Sequence, residues 1–134
     1  MAIDVAAQIE IGELYSRYCH AIDQQQSDAW VDTFTEDGVF ESPRFGRFSG
    51  REALHKFTKL YRDSLGGART LHLSHNRLSK IEGDAATSYC DFTYYHAKDA
   101  KIQAESVGFY TDVLKLTPQG WRFARRTVTI MGSR

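Results

Sequence analysis

Apolar side chains recur early in the chain at Ala7, Ile11, Leu14, Tyr18 and Ala21. Steps of three and four place them on one helical face, so residues 4–23 are expected to form a helix. The polar run Gln24-Gln25-Gln26-Ser27 ends that stripe. A short second helix is expected to follow, capped by Ser27, with Trp30, Val31 and Phe34 on its buried side. Glu36-Asp37-Gly38 signals a turn, Val39-Phe40-Glu41-Ser42 a short strand, and Arg47-Phe48-Ser49 its partner across a hairpin. Gly50 opens a third helix whose apolar face reads Leu54, Phe57, Leu60, Tyr61 and Leu65, and Gly66-Gly67 stops it.

Beyond this point the pattern changes from the helical period to runs rich in β-formers: 70–82, 85–97, 101–116 and 121–131. They are separated by Gly83-Asp84, Lys98-Asp99-Ala100 and Pro118-Gln119-Gly120. Connections this short join antiparallel neighbours, so a four-stranded meander is expected. Helices first and long strands last imply an α+β domain in which an antiparallel sheet curls around the helices covering one face. No internal repeat, linker or low-complexity tract divides the sequence, and residues 1–134 read as a single domain.

Composition adds exclusions. A length of 134 residues suffices to bury roughly two-thirds of the unfolded surface. Seventeen basic residues balance seventeen acidic ones, leaving no global field to favour nucleic acid or an anionic membrane. No apolar stretch reaches transmembrane length, and the opening residues lack the basic start and apolar core of a secretory signal, so a cytoplasmic protein is expected. Cys19 and Cys90 lack CxxC spacing and read as reduced core thiols.

Candidate chemistry starts with two residues. Asp23 stands where the first helix ends, just past its apolar stripe; it reads either as a solvated helix-end carboxylate or as part of a site. His72 lies in Thr70-Leu71-His72-Leu73-Ser74-His75-Asn76. Strand alternation puts Leu71 and Leu73 on one face, and Thr70, His72, Ser74 and Asn76 on the other. That polar face is either exposed or the wall of a pocket under the helices. Tyr18, Tyr89, Tyr94, Tyr95 and Tyr110 each carry a hydroxyl able to bond a substrate oxygen, and each also suits core packing. His20, Asp23, His72, His75 and His96 do not form a convincing three- or four-ligand set, so no metal site is expected. There is no GxSxG motif and no glycine-rich phosphate loop.

Several segments carry a family resemblance when taken in order. They are Ile11-Gly-Glu-Leu-Tyr-Ser-Arg-Tyr-Cys-His-Ala-Ile-Asp23, Trp30-x-x-x-Phe34-Thr-x-Asp-Gly-Val-Phe40, Gly50-Arg-Glu-Ala-Leu54 and His72-Leu-Ser-His-Asn76. Glu82-Gly-Asp-Ala-Ala-Thr-Ser-Tyr89, Gly108-Phe-Tyr-Thr-Asp112 and Gly120-Trp-Arg-Phe-x-x-Arg126 complete them. Together they resemble the SnoaL-like branch of the nuclear-transport-factor-2-like superfamily. The resemblance implies a cone-shaped α+β barrel, with three helices in the concave face of a curved, mostly antiparallel sheet. The segments around Asp23 and His72 are similar to those of scytalone dehydratase, the bile-acid 7α-dehydratases and the hexachlorocyclohexane dehydrochlorinases, which are cofactor-free lyases. By that resemblance His72 is the general base and Asp23 its orienting partner. Tyr18 matches a substrate-contacting tyrosine of the bile-acid enzymes, and Tyr94 stands where they carry a third acidic residue. Arg126 aligns with an arginine lining the dehydrochlorinase pocket, and a strand-end ion pair accounts for it equally well.

The resemblance therefore implies elimination, typically of water, from a small cyclic, polyketide-like or steroid-like compound, with no cofactor. An imidazole titrates near neutrality, and a carboxylate on its other nitrogen fixes the tautomer and stabilises imidazolium. Two other roles stay open. One is isomerisation or cyclisation in the same pocket; the other is a non-catalytic binding or assembly role like that of the small subunit of ring-hydroxylating dioxygenases. Leu71, Leu73, Val107, Phe109 and Val113 are expected on the outer face of the sheet, where they call for cover by a homo-oligomer, most simply a dimer, with a trimer as the alternative.

Overall fold

The computed structural model describes residues 3–132. Its elements are α1 (Val5–Asp23), α2 (Ser27–Val31), β1 (Phe34–Ser42), β2 (Gly46–Ser49), α3 (Arg51–Ser64), β3 (Arg69–Glu82), β4 (Ala85–Lys98), β5 (Lys101–Thr117) and β6 (Gly120–Ile130). The strands form one curved sheet in the order β2-β1-β6-β5-β4-β3. Every neighbouring pair is antiparallel except β1 with β6, which run parallel. The cone is open: β2 and β3 are free edges and do not close a barrel.

Local chemistry accounts for most boundaries. Asp4 caps α1 by accepting a hydrogen bond from the Ala7 amide at 3.0 Å. The stripe Ala7, Ile11, Leu14, Tyr18 and Ala21 is buried throughout. The expected capping role of Ser27 is not seen. Ser27 is the first residue of α2, and its hydroxyl bonds Thr58 of α3, tying the two helices together. Leu60, expected on the apolar face of α3, is about half exposed, because burial concentrates on Leu54, Phe57 and Tyr61.

Phe34 opens β1 rather than closing α2, and Glu36-Asp37-Gly38 is an irregularity inside that strand rather than a turn after a helix. A Cβ on Gly38 would stand 2.8 Å from Phe34 Cβ and 2.9 Å from Thr35 O, so the chain doubles back too tightly for a side chain there. Register shifts also occur at His75/Leu78, Tyr94/Tyr95 and Val113/Leu114. Such bulges add local bend and twist, which is how strands of this length wrap around helices. The one at Asn76 (φ 57°) ends the alternation expected from the sequence: Asn76 is exposed and bonds Asp91 at 3.0 Å instead of sharing the face of His72.

The core lies between the helices and the concave face. Trp30 sits at its centre, with ring contacts of 4.9–5.6 Å to Tyr18, Phe34, Phe40 and Phe57. Leu71, Leu73, Val107 and Val113 are exposed on the convex face, while Phe109 is half-buried and stacks on Tyr89. No helix among the described residues is long and apolar enough to cross a membrane.

Candidate active site

Asp23 is the last residue of α1, where its charge opposes the negative end of the helix dipole. Three donors compensate. Thr70 Oγ1 donates to Asp23 Oδ1 at 2.9 Å, the His72 amide to Oδ2 at 2.8 Å, and His72 Nδ1 to Oδ1 at 2.6 Å. Thr70 and His72 reach the same carboxylate because they stand two apart on β3, with Leu71 turned outward between them. Both side chains of the pair are nearly buried, at 12% and 11% exposure. With Nδ1 committed to Asp23, the His72 ring keeps Nε2 without a partner among the described residues, and that ring lines a cavity.

The cavity measures about 350 Å³ and lies between the helices and the inner face of the sheet. Tyr18, Phe40, Phe57, Phe92 and Tyr110 supply much of its wall. Beside His72 stand two tyrosines whose hydroxyls bond each other, Tyr61 of α3 and Tyr94 of β4, at 2.6 Å. The Tyr94 ring is 4.4 Å from the His72 ring, and its hydroxyl also meets His96 Nε2 at 2.8 Å. His96 Nδ1 in turn faces Glu105 at 3.6 Å. Burial pushes Tyr94 up to about 12, against the bond from Tyr61 and the nearby Arg44 charge, which pull it down. Burial raises Tyr61 further still. Both hydroxyls therefore keep their protons near neutrality; one donates to the other, and the remaining proton can be donated to an oxygen that gains negative charge.

Of the residues singled out from the sequence, His72, Asp23, Tyr18 and Tyr94 meet at or behind this cavity. Arg126 does not reach the wall. It is fully buried and holds Asp112 through Nε at 3.0 Å and Nη2 at 3.1 Å, while Tyr15 donates to the same carboxylate. Its guanidinium lies 3.5 Å from the Tyr110 ring centre and 4.3 Å from that of Tyr18, so it backs two wall residues instead of meeting a ligand. Burial pushes the Asp112 carboxyl above its ordinary value, with the attraction of Arg126 opposing it.

Tyr61 and Thr70 belong to the site without a local sequence signal of function, since one lies on an apolar helix stripe and the other is one of several polar strand residues. Tyr95 and Tyr89 lie off the cavity wall. Cys19 and Cys90 are buried free thiols, both raised by burial, with Cys19 Sγ 3.3 Å from Ser74 Oγ. Among the described residues no group of three or more His, Cys, Asp or Glu gathers in a way that could hold a metal ion.

The model of the SnoaL-like domain matches residues 4–127. The chain belongs to the SnoaL-like domain family. A relative, uncharacterized protein Rv2910c of Mycobacterium tuberculosis, is 29% identical over 129 residues, covering 94% of this chain and 86% of its own length. Among solved structures, a point-substituted form of Rv3472, a protein of unknown function from the same species, is 30% identical. It superposes with a TM-score of 0.83 over 91% of this chain and 70% of that one. A Catenulispora acidiphila protein in complex with S-DNPA shares the fold at 22% identity, with a TM-score of 0.86 over 95% of both chains.

Proposed function

We propose that this SnoaL-like chain is a cofactor-free lyase that eliminates water, or a comparable leaving group, from a small cyclic compound. The observation that carries the reading is the pair itself: Asp23 fixed by three donors, bound at 2.6 Å to His72 Nδ1, with the ring facing an aromatic cavity. A fixed carboxylate selects the tautomer with Nδ1–H and leaves Nε2 as the base. Nε2 takes a proton from the carbon next to a carbonyl. The electron pair released from that C–H bond moves onto the carbonyl oxygen, which the Tyr61 and Tyr94 hydroxyls face. As the enolate collapses, the C–O bond to the leaving hydroxyl breaks and a C=C bond forms. The imidazolium returns its proton to the departing oxygen, so the products are an unsaturated ketone and water.

Support for a small-molecule role also comes from the neighbour of the same fold that holds S-DNPA. The paired hydroxyls favour enolate formation, which is equally the first step of an isomerisation or cyclisation, and product analysis separates the three. The test is turnover of a panel of cyclic β-hydroxy ketones with product identification by mass. Loss of about a hundredfold in His72→Ala with an unchanged fold is expected, and near-normal turnover in that variant refutes the reading. The exposed convex residues Leu71, Leu73, Val107 and Val113 support a two-fold dimer covering that face. Light scattering that finds only a 15.3 kDa species at micromolar concentration overturns it.

A further inference from the structure

The polar groups of the cavity wall are unbalanced in sign. Arg44, His72 and His96 line it, and no aspartate or glutamate is among the lining residues. Asp23 stands behind His72, and Glu105 behind His96, both off that wall. Arg44, in the β1–β2 turn, is exposed and has no ion pair among the described residues, so its charge stands at the open end of the cavity. Beside it, Ser42 Oγ accepts from the Arg44 amide at 3.2 Å and the Phe45 amide at 3.3 Å. Those bonds occupy its lone pairs, and the hydroxyl proton has no acceptor among the described residues. The mouth thus presents donors and positive charge, while the interior is largely aromatic.

We propose that the ligand is an amphiphilic organic anion, a flat apolar ring body bearing a carboxylate, whose carboxylate lies at the mouth against Arg44 and Ser42. A carboxylate has only acceptors to offer, which is what an unpaired guanidinium and a free hydroxyl proton require. A neutral ligand can offer an oxygen to Ser42 but leaves the Arg44 guanidinium without a counter-charge. The ring body fills the aromatic interior and brings its reacting carbon towards His72. This assignment rests on the cavity being the ligand site and not on the reaction carried out there.

The test uses two isosteric fluorescent probes, 2-naphthoate and 2-naphthamide, titrated into the intact protein at neutral pH and low salt. The expected result is naphthoate binding about tenfold tighter than the amide, with the preference shrinking as salt is added. Arg44→Ala should remove most of that preference and leave amide binding unchanged, while Arg44→Lys keeps part of it, because lysine lacks the planar fork. His72→Ala should retain the preference, so a failed lyase assay and a failed anion site give different results. Three outcomes overturn the proposal: no saturable binding of naphthoate, equal binding of the two probes, or an undiminished preference in Arg44→Ala.

Discussion

Two aspartates in this domain are each bound to a basic side chain of the sheet, and they behave as opposites. Asp112 and Arg126 are both fully buried, joined by two hydrogen bonds and walled in by Tyr15, Tyr18, Tyr110 and Phe123. Asp23 and His72 retain slight exposure, and one ring nitrogen is left over beside a cavity. A charged pair enclosed by rings is structure. The same kind of pair with one lone pair facing empty space is a candidate for chemistry. What separates them is the space on the far side of the base.

The largest effect that would break this comparison is Asp112→Ala. It leaves Arg126 buried without a counter-charge, and a loss of about 3–5 kcal/mol in denaturant-measured stability is expected. Replacing Asp112 and Arg126 together by apolar residues should cost less than the single change, because no orphan charge remains. His72→Ala should do the reverse, reducing turnover by about a hundredfold (about 2.7 kcal/mol of barrier) while the unfolding midpoint barely moves. Tyr94→Phe is a smaller test. Removing one donor to the forming oxyanion should reduce turnover by about tenfold or more with little effect on ligand affinity, as steady-state kinetics would show.

Alkaline titration gives a subtler readout. Tyr94 is held at about 12, against an ordinary tyrosine value near 10, so its protonated form is favoured by folding. The stability it contributes is complete below about pH 10 and is lost as pH rises towards 12. Phenolate absorbance should show this group titrating late, and Tyr94→Phe should remove that step. The smallest expected effect is Thr70→Val, which deletes one of three donors to Asp23. It should slow turnover by a few-fold, in line with about 1 kcal/mol for a single hydrogen bond, with the fold unchanged by circular dichroism.

Periodicity made much of the fold legible. The stripe of α1 is buried as expected, and the four long strands begin and end within a residue or so of the expected limits. Hidden were the features in which the chain departs from a period. Gly38 folds β1 back on itself, Asn76 breaks the alternation of β3, and the parallel pairing of β1 with β6 joins segments some 85 residues apart. Of the site, Asp23 and His72 were legible through family resemblance, because strand alternation alone leaves a polar face without saying what it meets. Tyr61 was not, since its stripe position explains its ring and the hydroxyl's partner lies 33 residues away on another element. For Arg126 the sequence offered a pocket role and an ion pair, and the ion pair, with Asp112, is the one found; nothing local tells a buried guanidinium stacked behind a wall from one lining it.

The bulge at Asn76 also bears on how this strand tolerates change in length. Upstream of it, Thr70, His72 and Ser74 turn inward; downstream, Arg77, Ser79 and Ile81 do, so one extra residue has exchanged odd for even. Without the bulge, straight alternation through Asn76 would carry Leu78, Lys80 and Glu82 beneath α1 and turn Ile81 out to solvent, leaving the half that holds His72 in place. Deleting Asn76 closes the bulge and keeps Arg77, Ser79 and Ile81 facing inward. The extra residue lets each half of the strand keep its own inside, and a single-codon deletion at this position is one the strand can absorb.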